Sequence, residues 1–513
     1  MGTISHDHKD LSNLHESSPI EDIEASKPIN TVAALHDDEG VTVVNEYTGE
    51  KEWTSDEEKK VVRKIDLRLL TLLTASYGLQ FYDKTMMGQA AIFGLRTDLE
   101  LTVGNRYSFS SAMFYLGFLA GAVPASLLAQ RYPVERVLFA IVFLWGGCLM
   151  TTAACDTWRA LYVQRFFLGL LEAGVSPMFM LAVGSFYTKG EQAVRQGVWY
   201  SSTGFVSIFS PLINWGLGHI SSGSLASWRY MFLFAGGITV LWSFVLLFYF
   251  PPDPVRVKGF NERERYITIA RLRANNAGVR NTHFKRGQLW ELLLDIRFWT
   301  LFAIAFLNQI PNGPGSTFLP IIINGFGFSQ FNSLLLYMPY GFIAGMGCFG
   351  LPWMATKFPN KRCFIIIGGY LTTIIACALL WKLPRDSQGA LLFAVYLFPL
   401  WGGSFAVLLS LGTANNAGYT KRSVASSGLF VGYCLGNFVA PLLFKASEAP
   451  AFANGWTAVL ACICVATGLT VVYRQLCMWE NSKRDKAGIA EGFDHAFEDD
   501  HTDNTNKQFR YTY

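Results

Sequence analysis

Between residues 67 and 473 the chain reads as one apolar run after another, each about twenty residues long and enough to cross a bilayer core about 30 Å thick. The runs fall near 67–91, 107–129, 137–155, 159–184, 197–220, 228–250, 298–323, 331–355, 363–382, 389–413, 424–444 and 456–473. Lipid offers the backbone no hydrogen-bonding partner, so each run must pair its own N–H and C=O groups. The expectation is an all-α polytopic membrane protein with twelve transmembrane helices. Composition agrees: 51% of the 513 residues are hydrophobic and only 16% are charged, where a soluble protein carries about a quarter charged.

The remaining stretches set the domain plan. Residues 1–64 are polar and acid-rich, lack a cleavable apolar h-region and show no sustained period, which predicts a disordered cytoplasmic tail. Residues 65–250 then form a first six-helix bundle, 251–297 a cytoplasmic central loop, 298–480 a second bundle and 481–513 a cytoplasmic C-terminal tail. With both termini cytoplasmic, Lys and Arg concentrate in the inner loops, as the positive-inside rule requires. The net charge of +4 comes from these loops and does not point to nucleic acid. In the central loop, Asn261–Gly278 reads as an amphipathic surface helix or a solvated linker helix.

The two halves look related. QRYPVERVLF (Gln130–Phe139) follows the second run and TKFPNKRCFI (Thr356–Ile365) the eighth. Aligned without a gap, they share a basic residue, an aromatic, a Pro and an Arg four residues beyond the aromatic. Parallel six-span repeats with a site between them near the midplane are a known transporter plan. Enzyme chemistry finds no support: no Walker A loop, nucleophile elbow or metal-ligand spacing is present, and most of the nine cysteines lie inside apolar runs. No cofactor or metal is expected.

Ionisable residues inside the runs are the candidates for function, because charge in a membrane is costly and usually faces a bundle interior or water-filled path. In QRFFLGLLEAGVSPMF of the fourth run, Arg165, Gly169, Glu172 and Ser176 share one helix face. Arg165 and Glu172 are about 10 Å apart along the axis, leaving room for a small anion or a helix from across the cavity. Arg165 either holds an anionic group or snorkels to the outer end; Glu172 either exchanges a proton or makes a structural hydrogen bond. In FYDKTMMGQA of the first run, Asp83 lies about 24 Å from the start at Leu67, and Arg165 about 9 Å below its own outer end. The two are thus at similar depth and could meet. Lys84 points about 100° away from Asp83 and is expected to anchor the outer end or attract anions; alternatively, the helix stops near Tyr82 and both charges are interfacial. In the seventh run, FLNQIPNGPGSTF breaks the helix and offers Asn308, Gln309 and Asn312, while the eleventh run offers Tyr433 and Asn437 at i, i+4.

In order and spacing, YDKTMMGQAAIFGL, RFFLGLLEAGVSP, YTKGEQAVRQGVW, IPNGPGSTFLPIIINGFGFS, LLLSLGTANNAGYTKR and GYCLGNFVAPLLF resemble the major facilitator superfamily. Within it, the chain is most similar to the anion:cation symporter branch and its fungal allantoate permease-type group, over about residues 60–485. The resemblance implies a monomeric plasma-membrane symporter driven by the proton gradient. Its substrate would be a small organic anion or zwitterion such as allantoate, ureidosuccinate, a nicotinate-like carboxylate or a short peptide. It also implies a cavity lined by spans 1, 4, 5, 7, 10 and 11. The resemblance carries over to three positions: Arg165 stands at the fourth-span Arg linked with proton coupling in many superfamily symporters, Glu172 at the acidic position of the anion branch and Asp83 at the first-span acidic position. Together with the reading of the residues themselves, this makes Asp83 and Glu172 candidate proton-coupling residues and Arg165, Lys84, Asn308, Gln309, Asn312, Tyr433 and Asn437 candidate substrate-binding ones. One departure is Gln130, where the superfamily usually has Asp, together with Pro133–Glu135 in place of a Gly-containing turn. Other expectations are a non-transporting nutrient sensor on the same fold, or a uniporter or antiporter.

Overall fold

The structure is a computed structural model that describes residues 47–220, 223–251, 253–274, 285–358, 360–487 and 501–513. Residues 49–513 form one unit, and the separate unit 1–48 is described only at 47–48. The disorder expected of residues 1–46, the amphipathic stretch beyond Ala274 and tail residues 488–500 lie outside the described residues. So do the side chains of Gln130 and Arg131 in the basic turn.

Regular structure among the described residues is entirely helical. Eight helices are long and apolar enough to cross a membrane: Val134–Ala154, Trp158–Phe186, Ser227–Tyr249, Gln330–Lys357, Arg362–Lys382, Gln388–Ala414, Thr420–Leu442 and Ala453–Lys486. The other four expected spans coincide with Thr71–Ala90, Arg106–Arg131, Lys189–Gly218, and the pair Ile296–Asn308 and Leu319–Asn324. The first of these buries Gln80, Asp83, Thr85 and Gln89, and the last is interrupted at the Pro- and Gly-rich stretch. Among the described residues, helices therefore stand at the positions of all twelve expected spans, six in each half. The side on which the first span begins and the twelfth ends is called the tail side, and the opposite one the far side.

Two spans are broken where the chemistry collects. The fourth is helical over Trp158–Glu172 and restarts at Val175. The seventh ends its first helix at Asn308 and resumes through a π-helical turn at Pro314–Phe318 before Leu319–Asn324. Proline removes a backbone donor and forces such a break, and surrounding protein must then satisfy the freed groups. Here Ser316 Oγ donates to Asn312 O at 2.8 Å, and Tyr107 Oη reaches Thr317 O at 2.9 Å from the second span.

Glycine lets the spans approach closely. A Cβ at Gly169 would stand 1.9 Å from Phe114 O, and one at Gly117 would stand 1.9 Å from Phe166 O, so the second and fourth spans touch backbone to backbone. Between the halves, Gly204 in the fifth span meets Gly345 in the eighth, where an added Cβ would lie 2.4 Å from the Gly345 Cα. On the far side the halves are also joined by Ser108 Oγ donating to Phe444 O at 2.6 Å.

The tail side is more ordered than the sequence implies. Ser55–Ile65, expected within the disordered tail, is a helix with a Thr54–Glu57 capping box and buried Val61, Val62 and Ile65. It packs against the central-loop helix Glu262–Ala274. Arg263 donates to Glu57 at 3.0 and 3.1 Å, and Lys64 lies 2.6 Å from Glu264. The apolar face of the loop helix (Tyr266, Ile267, Ile269) is buried in protein contacts. At the other terminus, residues 501–513 return to the second half. Asp503, 1% exposed, is 2.8 Å from the fully buried Lys421 Nζ and 3.5 Å from Arg297. Tyr511 Oη accepts from Arg484 and donates to Asp503, and Thr512 N donates to Asn415 at 2.8 Å.

Candidate functional site

The first span carries a polar face into the first half. Tyr82 Oη donates to Asn214 at 2.8 Å, Gln89 Nε2 to Ser210 at 2.9 Å, and Trp242 Nε1 to Ser76 at 2.8 Å. These bonds hold the first span against the fifth and sixth and fix its rotation. Asp83 and Lys84, adjacent in sequence and about 100° apart round the helix, are thereby sent to different neighbours.

Asp83 is 1% exposed and accepts a hydrogen bond at Oδ2 from the indole N–H of Trp145 in the third span. Its Oδ1 has no hydrogen-bond partner among the described residues. Lys84 turns to the fourth span, where Nζ stands 3.2 Å from Glu172 Oε1 with side-chain exposures of 13% and 0%. The Phe114 and Phe118 rings lie 5.7 and 5.2 Å from the ammonium. The pair is at ion-pair distance but not aligned as a hydrogen bond, and neither Glu172 oxygen has a hydrogen-bond partner among the described residues. Gln80 Nε2 caps the Glu172 carbonyl at 3.3 Å, next to the break at residues 173–174.

Arg165 is 3% exposed, directs Nη2 at the Met87 sulfur at 3.0 Å and lies 5.8 Å from the Phe232 ring. It therefore does not snorkel to the surface. Nor does it form an ion pair with Asp83, whose hydrogen bond is taken by Trp145. All four charged groups nevertheless border one cavity with Met87, Ser111, Tyr115, Ser316 and Thr317. The cavity holds about 20 Å³, room for about one water molecule, so the site is closed around its charges.

One sequence expectation is corrected: Lys84 is no outer-end anchor, because it is buried beside Glu172. At Gly169 it is a neighbouring helix, through the Phe114 backbone, that approaches closely. Three of the neutral candidates, Gln309, Asn312 and Asn437, form a separate polar group. Asn312 Nδ2 donates to Asn437 Oδ1 at 2.6 Å and points at Tyr115 Oη at 3.4 Å, while Asn437 Nδ2 reaches Gln309 Oε1 at 3.3 Å. Tyr433 stacks on Phe430 with ring centroids 5.4 Å apart. Asn308 is fully buried with both amide atoms unpartnered among the described residues. None of these five borders the small cavity; Tyr115, which borders it and meets Asn312, links the two groups. Tyr115 and Trp145 were missed by sequence reasoning. Each is a single aromatic within an apolar run, where packing alone would explain it.

Comparisons with known proteins place the chain in a family and a fold. The family model "Major Facilitator Superfamily" matches residues 73–441. The allantoate permease of Saccharomyces cerevisiae is 31% identical, with 99% of this chain and 97% of the relative covered. The uncharacterized transporter C460.05 of Schizosaccharomyces pombe is 34% identical over 88% of this chain and 84% of the relative. Among solved structures, a bacterial homologue of the human lysosomal transporter Spinster superposes with a TM-score of 0.59 at 16% identity, covering 82% of this chain and 98% of that one. A D-xylose–proton symporter superposes with a TM-score of 0.58 at 13% identity, covering 79% and 96%. At these identities the structures speak for the fold alone. The fold, the family match over most of the length and the full-length relatives make the chain a member of the major facilitator superfamily, a transporter and not an enzyme.

Proposed function

We propose that the protein takes up a small organic anion together with a proton by alternating access. The observation that carries this reading is the charge balance of the cavity: two carboxylates, Asp83 and Glu172, against two cations, Lys84 and Arg165. Such a cluster is neutral when empty. An incoming monoanion leaves one uncompensated negative charge in a low-dielectric interior, which is expensive. A proton on one carboxylate removes it. Glu172 is the natural acceptor, since Lys84 is its one ion-pair partner among the described residues and its protonation releases Lys84 for the substrate. Arg165 supplies the second positive charge, and Asp83, steadied by Trp145, is the alternative proton carrier.

Coupling then follows without further machinery. Proton or anion alone leaves the closed cavity charged; both together leave it neutral, so only the doubly loaded and empty forms reorient readily. The far-side contacts of Tyr107 and Ser108 would have to part for substrate to enter from that side. The amide group of Gln309, Asn312 and Asn437 joins the binding surface once the cavity widens. The tail side is assigned to the cytoplasm and the membrane to the cell surface, with the protein acting as a monomer. The full-length likeness to a permease for allantoate, itself a small carboxylate, supports the substrate class.

The test is uptake by purified protein in vesicles, across a panel of allantoate, ureidosuccinate, nicotinate, dipeptides and sugar acids. Accumulation driven by an imposed proton gradient, with one proton entering per monoanion and no effect of membrane potential, is expected. Binding without flux would make the protein a sensor, and accumulation indifferent to the proton gradient would make it a uniporter or antiporter.

A further inference from the structure

A second cavity lies on the tail side, remote from the charged cluster and sharing no residue with it. Its volume is about 210 Å³, and it is bordered by Arg68 at the foot of the first span, Glu135 and Arg136 at the start of the third, the Leu247–Pro251 end of the sixth, and Lys258 of the following loop. Three cations face one carboxylate there, a formal excess of +2. Arg136 and Lys258 form no ion pair among the described residues. Arg68 is held in place by donating to the Lys258 carbonyl, a turn set by Gly259 at φ +81°, which favours glycine.

The rim of this cavity is apolar. Phe248 and Tyr249, which border it, are 65% and 60% exposed, and Leu67, next to Arg68 in the chain, is 68% exposed. Tyrosine is typical of the membrane–water boundary, and basic pockets between spans at that boundary suit lipid headgroups. We infer that this cavity binds an anionic phospholipid, its phosphate among Arg68, Arg136 and Lys258 and its acyl chains along Leu67 and Phe248. The chemistry recognised is a phosphate ester. A free phosphate could use the same cations but would gain nothing from the apolar rim, which is why the lipid is chosen. Bound there, the lipid ties the foot of the first span to the third and sixth, the spans that position Asp83 through Trp145 and the first-span polar face.

The experiment uses the full chain in phosphatidylcholine nanodiscs with and without phosphatidylinositol, with retained lipid measured by native mass spectrometry after detergent extraction. The wild type should keep phosphatidylinositol selectively. The Arg136→Ala/Lys258→Ala double variant, altered only at exposed positions, should bind it about thirtyfold more weakly, and Glu135→Gln should bind it more tightly. Inorganic phosphate and glycerophosphoinositol, added as competitors, should displace it poorly. Equal retention by wild type and double variant would overturn the site, as would a Glu135→Gln variant that binds no better. Ready displacement by inorganic phosphate would overturn the lipid in favour of a soluble anion. Because the readout is bound lipid, the outcome is independent of the transported substrate.

Discussion

Lys84 Nζ stands 3.2 Å from Glu172 Oε1 across the first and fourth spans, and neither group has another ion-pair partner among the described residues. Removing one member leaves a buried charge alone, which costs about 3–5 kcal/mol, whereas removing both is often close to neutral. Lys84→Met and Glu172→Gln should each abolish proton-driven accumulation. Each should also lower the unfolding temperature, because each leaves one buried charge unpaired; Glu172→Gln should do so less, since its amide oxygen can still accept from the ammonium. The double variant should regain stability without regaining transport. A double-mutant cycle read by thermal unfolding in detergent, alongside vesicle uptake, checks this.

Among the described residues Arg165 has no carboxylate at ion-pair distance, so on the proposed mechanism its positive charge serves the substrate. Arg165→Ala should therefore abolish uptake while the protein still reaches the membrane. Surface labelling and uptake measured in the same cells decide the matter, and normal uptake would sink the proposed mechanism.

Asp83 and Trp145 form a different unit from Lys84 and Glu172. Asp83→Asn keeps an acceptor for the indole N–H and should preserve folding while weakening proton dependence. Trp145→Phe removes the donor and leaves a buried carboxylate with no hydrogen bond, at a cost of about 1–3 kcal/mol. Uptake against external pH should shift in Trp145→Phe and flatten in Asp83→Asn. Identical profiles for the two variants would contradict the separation.

The sequence disclosed the class of fold because apolar runs at membrane length are a strong and local signal. It also brought Asp83, Arg165 and Glu172 to one cavity through periodicity and depth alone. What it did not disclose was partner choice. Lys84 is only one residue from Asp83, and which neighbour each meets depends on the rotation of the first span, set by bonds from Tyr82, Gln89 and Ser76 to distant residues. The order of Ser55–Ile65, within the stretch expected to be disordered, escaped notice for a related reason. That segment is rich in charge, and it is held by ion pairs to residues about two hundred positions away, such as Glu57 with Arg263, which no local pattern announces.

The Glu57–Arg263 contact ties that order to pH. The Arg263 hydrogen bond and the capping Thr54 hold the Glu57 carboxyl down at about 2. Its folded value lies below its ordinary one, so its contribution is complete above the usual carboxylate range, declines progressively below that range and is gone once pH falls through about 2. Hydrogen exchange over Ser55–Ile65, corrected for the intrinsic rate, should be unchanged from neutral pH to about 5.5 and rise progressively below the ordinary carboxylate range, and Glu57→Gln should raise it throughout the neutral interval.

The return of the C-terminal segment onto the second half offers the last test. Asp503 lies 2.8 Å from Lys421 and 3.5 Å from Arg297, both at the tail-side ends of spans, and Thr502 Oγ1 donates to Glu291 at 2.9 Å. Lys421 keeps Glu291 at 2.9 Å and Arg297 keeps Asp295 at 2.7 Å when Asp503 is removed, so the loss is partial. Asp503→Ala should destabilise by roughly 1–3 kcal/mol, while the exposed Lys507→Ala should stay within about 0.5 kcal/mol of wild type. Thermal unfolding of the two variants in detergent separates a segment that clamps the seventh and eleventh spans from one that merely rests against them: equal midpoints would show that the clamp carries no stability.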